Sequence, residues 1–270
     1  MKSTIGKPRG VLNREAGEKK FQLSRHFPAQ DLSFFIEHYW IVGWDLRGQE
    51  PYVQETLPYP CVHLVFEQDQ TRVYGVETGK FARLLEGKGR VFGIKFKPGA
   101  FYSFVKAPVS QFTNTAVSFQ DVFGIDCKAL EEAILSERDE SKMVALAEQF
   151  LRERLPERDE HVRIINEIVD YIIAHREVTS VDNTVSQFKL NKRTLQRIFR
   201  QYVGVSPRWV IKRYRLHEVA ERLAGGESVD WPGMVVELGY TDQAHLINDF
   251  KRNVGRTPAE YAKSGAGSRE

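Results

Sequence analysis

Arginine and glutamine side chains recur at helical spacing near the C-terminal end of the chain. Arg193, Gln196 and Arg197 are spaced at i, i+3 and i+4, and Arg200 follows one turn later. A helix would present these side chains on one face and the apolar residues between them on the other. In the major groove, arginine can donate two hydrogen bonds to guanine, and glutamine can pair both ways with adenine. The pattern predicts a helix that recognises DNA base edges.

The charge around this helix has one sign. Residues 183–217 contain nine basic residues and no Asp or Glu. Because globular surfaces normally mix both signs, such a stretch indicates a polyanionic partner. We expect Lys192, Arg200 and Arg208 at phosphates, which position a protein without reading sequence. The alternative interpretation is a basic helix face that is merely solvated.

The C-terminal third contains an internal repeat. The segment TLQRIFRQYVGVSP (residues 194–207) aligns with HLINDFKRNVGRTP (residues 245–258), 51 positions later, with five identical pairs. Such a repeat means that one helical unit is used twice. Short helices predicted over residues 179–188 and 230–238 precede the two copies, which gives two helix-turn-helix units. A connecting helix over residues 207–223 would hold the two recognition helices about 34 Å apart, roughly one turn of DNA.

The second unit is less basic than the first. Residues 227–263 contain six acidic and four basic residues. Gln243, Ile247 and Asn248 are its candidate base-reading residues, and Lys251 and Arg252 its candidate phosphate contacts. We therefore expect the first unit to supply most of the specific binding energy.

A region of predicted β-strands precedes the helical region. Short runs rich in Val, Ile, Phe, Tyr and Trp, separated by Gly, Pro and Asp, predict an antiparallel barrel or sandwich between residues 21 and 124. The predicted strands cover residues 39–44, 52–57, 62–66, 73–76, 81–85 and 91–96. Helical periodicity follows over residues 127–155. This helix pair either caps the barrel or forms a dimer.

The fold class is thus α+β, with a β-rich domain and flanking helices followed by an all-α domain. The expected domains are a basic disordered arm, a sensory or dimerisation domain, a double helix-turn-helix domain and a flexible tail, over residues 1–20, 21–155, 159–263 and 264–270. The boundary is placed at the polar, proline-containing segment 155–159.

Composition limits the classes of protein to consider. The chain has 270 residues, of which 41% are hydrophobic and 28% charged, with a net charge of +3. These values are ordinary for a globular protein with one or two domains. No run approaches 18 apolar residues, and the N-terminus has no apolar signal region. Two distant cysteines fit a reducing compartment. A cytoplasmic protein with no membrane partner is expected.

The β-rich region offers little catalytic chemistry. The histidines in or beside its predicted strands are His38 and His63, with no HxH motif, and Cys61 precedes His63 by two positions. This pair is better explained as two residues of the hydrophobic core than as a metal site. No catalytic residue, metal or cofactor is expected.

The same region could hold a small molecule. Trp40, Trp44, Tyr59 and His63 fall on or beside predicted strands and could line an effector pocket. The alternative is that these aromatic side chains pack in the core.

The C-terminal motifs resemble a known family. TLQRIF…GVSP and GYTDQAHLINDFKRNVGRTPAEY are similar to the DNA-binding domain of AraC-family bacterial transcription regulators, over residues 165–262. The resemblance implies recognition helices at residues 191–203 and 242–254, with base contacts at Arg193, Gln196 and Arg197, then at Gln243, Ala244, Ile247 and Asn248. This chain departs from the pattern at several positions, among them Lys189, where the first turn usually has Gly.

The N-terminal half resembles the cupin-like domain, of no assigned function, that often precedes such DNA-binding domains. The residues that support this are HYW, LPYPCVHLVFE and VFGIKFKPGAF, within residues 21–123. The resemblance implies a role in sensing or dimerisation.

Together these observations predict a sequence-specific transcription regulator without enzymatic activity. Its expected partners are promoter DNA, a small-molecule effector or protein partner, a second copy in a homodimer, and RNA polymerase if it activates. The main alternative is a metal-dependent cupin enzyme fused to a DNA-targeting domain. A non-specific DNA-packaging protein is less consistent with the sequence, because phosphate binding alone does not require glutamine on the recognition face.

Overall fold

The computed structural model describes residues 10–225 and 230–266. Its strands are β1 (Gln22–His26), β2 (Ile36–Asp45), β3 (Tyr52–Thr56), β4 (His63–Phe66), β5 (Arg72–Tyr74), β6 (Phe81–Leu85), β7 (Lys88–Phe96) and β8 (Ala116–Ser118). The helices before the predicted boundary are α1 (Arg14–Glu18), α2 (Phe101–Val105), α3 (Phe119–Phe123), α4 (Lys128–Ser136) and α5 (Glu140–Arg152). Those after it are α6 (Glu160–Ala174), α7 (Val181–Phe188), α8 (Lys192–Ile198), α9 (Pro207–Ala224), α10 (Trp231–Glu237), α11 (Gln243–Val254) and α12 (Pro258–Ala266).

The strands form two sheets. Six strands pair antiparallel in the order β1-β2-β7-β4-β5-β8, and β3 pairs with β6 in a separate two-stranded sheet. Within the described residues the larger sheet stays open, because β1 pairs only with β2 and β8 only with β5. The α+β class is confirmed, but the barrel that strand spacing favoured is not closed.

The larger sheet has two chemically different faces, as the alternation of side chains along a strand requires. One face is apolar and packs against α2 to α5. Its strand residues include Tyr39, Phe66, Phe92, Ile94 and Phe96, all fully buried. From the helices, Phe101, Phe119, Ile134, Met143 and Phe150 join the same core. Thus α4 and α5 cover this face as capping helices, and their role in a dimer stays a prediction.

The second face of the sheet points away from these helices toward β3 and β6. A bulge in β2 between Ile36 and His38 turns Glu37 to the same side as His38. Charged and aromatic side chains from five strands therefore share this second face, which forms the wall of a cavity described below.

Most elements lie where the sequence predicted them. All six predicted strands are present, with β6 matching its predicted bounds and β2 and β7 extending beyond theirs. The strands β1 and β8 were missed. They are short edge strands whose side chains are half-exposed or exposed and show no clear alternation.

The disordered arm predicted over residues 1–20 is wrong for its described part. Val11 bridges to Thr56, α1 follows, and Leu12 is buried against Leu57 and Leu216. Apolar burial of Leu12 orders this stretch despite its basic composition. Residues 1–9 lie outside the described residues. At the other end, α12 continues to Ala266, so the predicted tail is helical over residues 264–266, and residues 267–270 are outside the description.

The predicted helix-turn-helix boundaries agree with the structure. Ser180 caps α7 with a capping box, and Ser206 caps α9 by accepting a hydrogen bond from the backbone N–H of Trp209. Pro207 occupies the first turn of α9, where its missing N–H costs nothing. Thr257 and Glu260 form reciprocal side-chain to backbone hydrogen bonds at the start of α12. The segment 155–159 falls between α5 and α6.

Candidate nucleic-acid interface and adjoining cavity

The first recognition helix presents its predicted face to solvent. Asn191 caps α8, its Oδ1 accepting from the N–H of Arg193 at 2.8 Å. A π-helical turn over residues 199–203 continues the helix, and Gly204 ends it at a φ of 93°. Arg193, Gln196, Arg197 and Arg200 are exposed, whereas Leu195, Ile198 and Phe199 are buried. The face that could enter a DNA groove is thus separate from the face that packs.

The predicted phosphate contacts of the first unit are exposed at the edge of this face. Arg208 lies in the first turn of α9. Lys192 forms an ion pair with Asp182 of α7, with 2.9 Å between Nζ and Oδ1. Both side chains of this pair are more than half exposed, so the pair is weak and leaves the ammonium group accessible.

Two of the nine basic residues in the first unit do not face solvent. Arg213 is 1% exposed and Arg215 3% exposed. Arg215 donates to the carbonyl oxygens of Ile172 (2.6 Å) and His175 (2.8 Å), at the C-terminal end of α6. A cation there satisfies carbonyl groups that a helix end leaves unpaired. The basic surface is therefore smaller than the residue count indicated.

The second helix-turn-helix unit, like the first, has a capped recognition helix with an exposed face, but this face carries fewer cations. Asp242 caps α11 by accepting from the N–H of His245 at 2.7 Å. Gln243, Ala244 and Asn248 are exposed, and Lys251 and Arg252 are exposed one turn later. Ile247 is only half exposed, which limits the apolar contact it can make with a thymine methyl group.

The two turns differ in backbone chemistry. Gly239 in the second turn has a φ of 69°, and Lys189 occupies the same left-handed region in the first, at 51°. A side chain is disfavoured in that region by contact between Cβ and the carbonyl oxygen. The departure from Gly at position 189 therefore leaves backbone strain in the first turn.

A cavity of about 940 Å³ lies between the sheet domain and the helical domain. Its walls are the polar face of the large sheet, the β3–β6 sheet, α6 and α9. Trp40, Trp44, Tyr59 and His63, the four residues suggested by sequence for an effector pocket, all line it. The volume is at the upper end of the range usual for small-molecule sites.

Two glycines opposite β2 shape the floor of this cavity. Trp40 pairs with Gly93 and Trp44 with Gly89 across the β2–β7 ladder. A Cβ on Gly93 would lie 1.9 Å from the Trp40 ring, and one on Gly89 would lie 2.2 Å from the Trp44 ring. Each indole therefore rests on bare backbone, and both indoles are held by hydrogen bonds from Nε1, to His63 Nδ1 (3.2 Å) and Glu86 O (3.0 Å) respectively.

One end of the cavity is polar and contains an ion pair. Lys95 Nζ lies 3.0 Å from Glu37 Oε1. Burial lowers the pKa of His63 to about 3, and Lys95 contributes in the same direction. Burial likewise raises the pKa of the Cys61 thiol. His63 and Cys61 are therefore neutral at pH 7.

The helical domain closes this polar end. The rings of Tyr59 and His217 stack with centroids 3.9 Å apart and planes 7° apart. Tyr214, Asp170 and Asn166 line the same end from α9 and α6. Tyr214 and His217 are not among the pocket residues that the sequence predicted. Their part in the cavity depends on the packing of distant segments, for which the sequence contains no local signal.

A loop between β5 and β6 joins the cavity to the second helix-turn-helix unit. Glu77 in this loop lines the cavity. The next two residues offer carbonyl oxygens to Arg213 of α9, at 2.6 Å from Thr78 and 3.4 Å from Gly79. Arg213 also donates to Asn253 Oδ1 of α11, at 3.2 Å. The guanidinium group of Arg213 thus connects the loop at the cavity to the connecting helix and to the second recognition helix.

The first unit also contacts the sheet domain directly. Thr113 Oγ1 donates to the carbonyl oxygen of Gly204 at 2.9 Å, and Gln201 Nε2 donates to the hydroxyl of Tyr102 at 2.9 Å. A Cβ at Gly204 would lie 2.8 Å from Thr113 Oγ1, so glycine is required by close approach as well as by its left-handed φ. The C-terminal end of the first recognition helix is therefore docked on the sheet domain.

Within residues 10–225 and 230–266, no group of three or more His, Cys, Asp or Glu side chains converges so that it could hold a metal ion. In that same part of the chain, no helix is long and apolar enough to cross a membrane.

Two family models match the chain. Residues 185–264 match a model described as "Helix-turn-helix domain", and residues 24–118 match a "Domain of unknown function (DUF6597)". The two matches fall on the helical repeat and on the β-rich region respectively. No curated protein matches the chain.

Solved structures of ToxT from Vibrio cholerae are similar to this chain at low identity. The structure from strain O395 has 12% identity and a TM-score of 0.39, covering 92% of this chain and 99% of that chain. Unsaturated fatty acid-bound wild-type ToxT from strain SCE256 has 12% identity and a TM-score of 0.39, with full coverage of both chains.

Proposed function

We propose that this DNA-binding transcription regulator, whose C-terminal part is an AraC-type helix-turn-helix domain, recognises specific DNA mainly through its first helix-turn-helix unit. The observation that supports the proposal is the solvent-exposed face of Arg193, Gln196 and Arg197 on α8. Hydrogen bonds from these side chains suit guanine and adenine edges in the major groove. Lys192, Arg200 and Arg208 at the border of the face are suited to phosphates.

We further propose that a small molecule in the cavity modulates DNA binding. Side chains from both domains line the cavity. A ligand that fits one arrangement of the domains better than another favours that arrangement by the difference in its affinities. Because the first recognition helix is docked on the sheet domain at Gly204, a change in domain arrangement would reach the DNA-binding face.

The proposed regulator acts in the cytoplasm without catalysis, and RNA polymerase is its partner if it activates transcription. Binding as a homodimer belongs to the same proposal. The alternative, an enzyme delivered to DNA by its C-terminal domain, needs a nucleophile or metal cluster. The charged cavity residues instead form pairs such as Glu37 with Lys95, which suits binding more than proton transfer.

The test is selection of genomic DNA. Purified protein is mixed with fragmented DNA of its source organism at physiological salt, and the retained fragments are sequenced, with an Arg193→Ala/Arg197→Ala double variant beside it. We expect a sharp motif near promoters that the double variant loses. A motif unchanged in the variant would contradict the assignment of the face, and retention without any motif would indicate non-specific binding.

A further inference from the structure

We propose that the cavity binds an uncharged, planar, aromatic molecule of several fused or linked rings, which stacks on Trp40 and Trp44. The proposal deepens the ligand modulation proposed above and rests on it. Three features of the cavity support it: the shape of the floor, the spacing of the two indoles and the balance of charge on the walls.

The floor of the cavity is built for a flat surface. Because Gly93 and Gly89 have no side chains, the indole rings of Trp40 and Trp44 lie directly against the backbone of β7. The indole nitrogens are fixed by His63 and by the carbonyl oxygen of Glu86. Each ring thus keeps one face toward the cavity in a fixed orientation. Aromatic partners stack on such faces with an energy beyond that of area burial alone.

The spacing of the indoles sets the size of the ligand. Trp40 and Trp44 are four residues apart on one strand, so their Cα atoms are separated by about 13 Å at the usual rise per residue. A single ring can contact only one of them. Contact with both requires a flat molecule with several rings, for which a cavity of about 940 Å³ has sufficient room.

The charge on the walls favours a neutral ligand. Six acidic and six basic residues line the cavity. Several of these are already paired, including Glu37 with Lys95 (3.0 Å), Arg83 with Glu67, and Arg215 with Glu218 (3.2 Å). A charged ligand that displaced one partner of such a pair would leave the other partner without its counter-charge in a buried site, which costs desolvation energy.

Neutral hydrogen-bonding groups are present where the ligand would need them. At the polar end, the imidazole of His38 and the thiol of Cys61 are uncharged at pH 7, because burial lowers the pKa of His38 to about 3 and raises that of Cys61. The hydroxyl of Tyr214 lines the same end. These groups can bind a carbonyl or hydroxyl of the ligand without adding charge.

The test uses three matched probes and needs no knowledge of the natural ligand. Flavone is planar and uncharged; flavanone has nearly the same atoms but a puckered ring; a flavone carboxylate is planar and anionic. Binding to the full chain is measured by titration calorimetry in the absence of DNA. We expect flavone to bind more tightly than flavanone by about tenfold, the loss of one good stacking contact, and the carboxylate to bind more weakly than flavone.

Variants connect the binding to the floor of the cavity. Trp40→Leu and Trp44→Leu should each weaken flavone binding by about tenfold, and Trp40→Phe should recover part of the loss. Trp231→Leu, in α10 and outside the cavity walls, is the matched control and should leave flavone affinity unchanged. Circular dichroism of each variant establishes that it is folded before its affinity is compared.

Three results would overturn the proposal. Equal affinity for flavone and flavanone would show that planarity is not selected. Tighter binding of the carboxylate would assign the cavity to an anion. No flavone binding to the folded protein would also reject the proposal, and the DNA selection experiment would remain an independent test of the regulator function, because it is run without any ligand.

Discussion

Arg213 donates a hydrogen bond to the carbonyl oxygen of Thr78 at 2.6 Å, across 135 positions of sequence. The same guanidinium group donates to Asn253 of the second recognition helix, and its Cζ lies 4.5 Å from the centroid of the Trp209 ring. Burial lowers the pKa of Arg213 to about 10, so it stays charged at pH 7. One buried cation thus links the loop at the cavity, the connecting helix and the second helix-turn-helix unit.

Replacing Arg213 should destabilise the protein. Arg213→Met keeps much of the apolar stem but leaves the Thr78 and Gly79 carbonyl oxygens and the Asn253 amide without their donor. We expect the free energy of unfolding to fall by about 2–4 kcal/mol, measured by urea denaturation. Arg208→Met, at an exposed position of the same helix, is the control and should change stability by no more than about 0.5 kcal/mol. Equal effects would show that the buried bonds contribute nothing.

A methyl group on the floor of the cavity should be poorly tolerated. Gly93→Ala places a Cβ 1.9 Å from the Trp40 ring, so the indole must move. The expected loss of stability is about 1–3 kcal/mol, as for other overpacked sites. Gly43→Ala, on the neighbouring strand, meets nothing within 4 Å and should be close to neutral. Comparison of the two melting temperatures tests the contact, and an unaltered Gly93→Ala protein would refute it.

The strained turn of the first unit predicts a stabilising substitution. Lys189 has a φ of 51°, so Lys189→Gly removes a left-handed penalty of about 1–2 kcal/mol. The greater entropy of glycine in the unfolded chain offsets about 0.5–1 kcal/mol of this gain. The net expectation is a small increase in the urea midpoint. Ser186→Gly, one turn earlier in α7, should lower that midpoint because glycine disfavours a helix. A decrease for both variants would contradict strain at position 189.

Acid should destabilise the protein partly through His63. Its Nδ1 accepts a hydrogen bond from Trp40, and its pKa is lowered to about 3, whereas an unfolded histidine titrates near 6.5. Below pH about 6.5 the unfolded chain binds a proton that the folded chain does not, so the free energy of unfolding falls by up to about 1.4 kcal/mol per pH unit down to about pH 3. Urea unfolding of His63→Gln at several pH values should show a shallower fall. An unchanged slope would show that His63 titrates alike in both states.

The sequence was most informative where structure is local. The repeat, the bounds of the connecting helix and of the recognition helices, and the exposed face of Arg193 and Gln196 are all properties of contiguous segments, and each is found in the predicted place. Runs rich in β-branched and aromatic residues also located the central strands.

Prediction failed where distant segments decide the outcome. Arg213 and Arg215 were counted with the surface cations because arginine is rarely buried, and no local pattern shows that its partners lie in distant segments. Their partners are backbone carbonyl oxygens of a loop and of a helix end, which every sequence contains. The open sheet was missed for a similar reason, since closure depends on whether edge strands meet, and strand spacing does not determine this.

The central claim is that the first unit supplies most of the specific DNA-binding energy, and one comparison tests it most directly. On the selected DNA site, the dissociation constants of Arg193→Ala/Arg197→Ala and Gln243→Ala/Asn248→Ala are measured by fluorescence anisotropy at one fixed salt concentration. Two base-reading arginines contribute about 1–3 kcal/mol each, so the first variant should lose about a hundredfold in affinity or more. The second should lose about tenfold or less, because α11 carries fewer cations. Equal losses, or a larger loss in the second variant, would contradict the account.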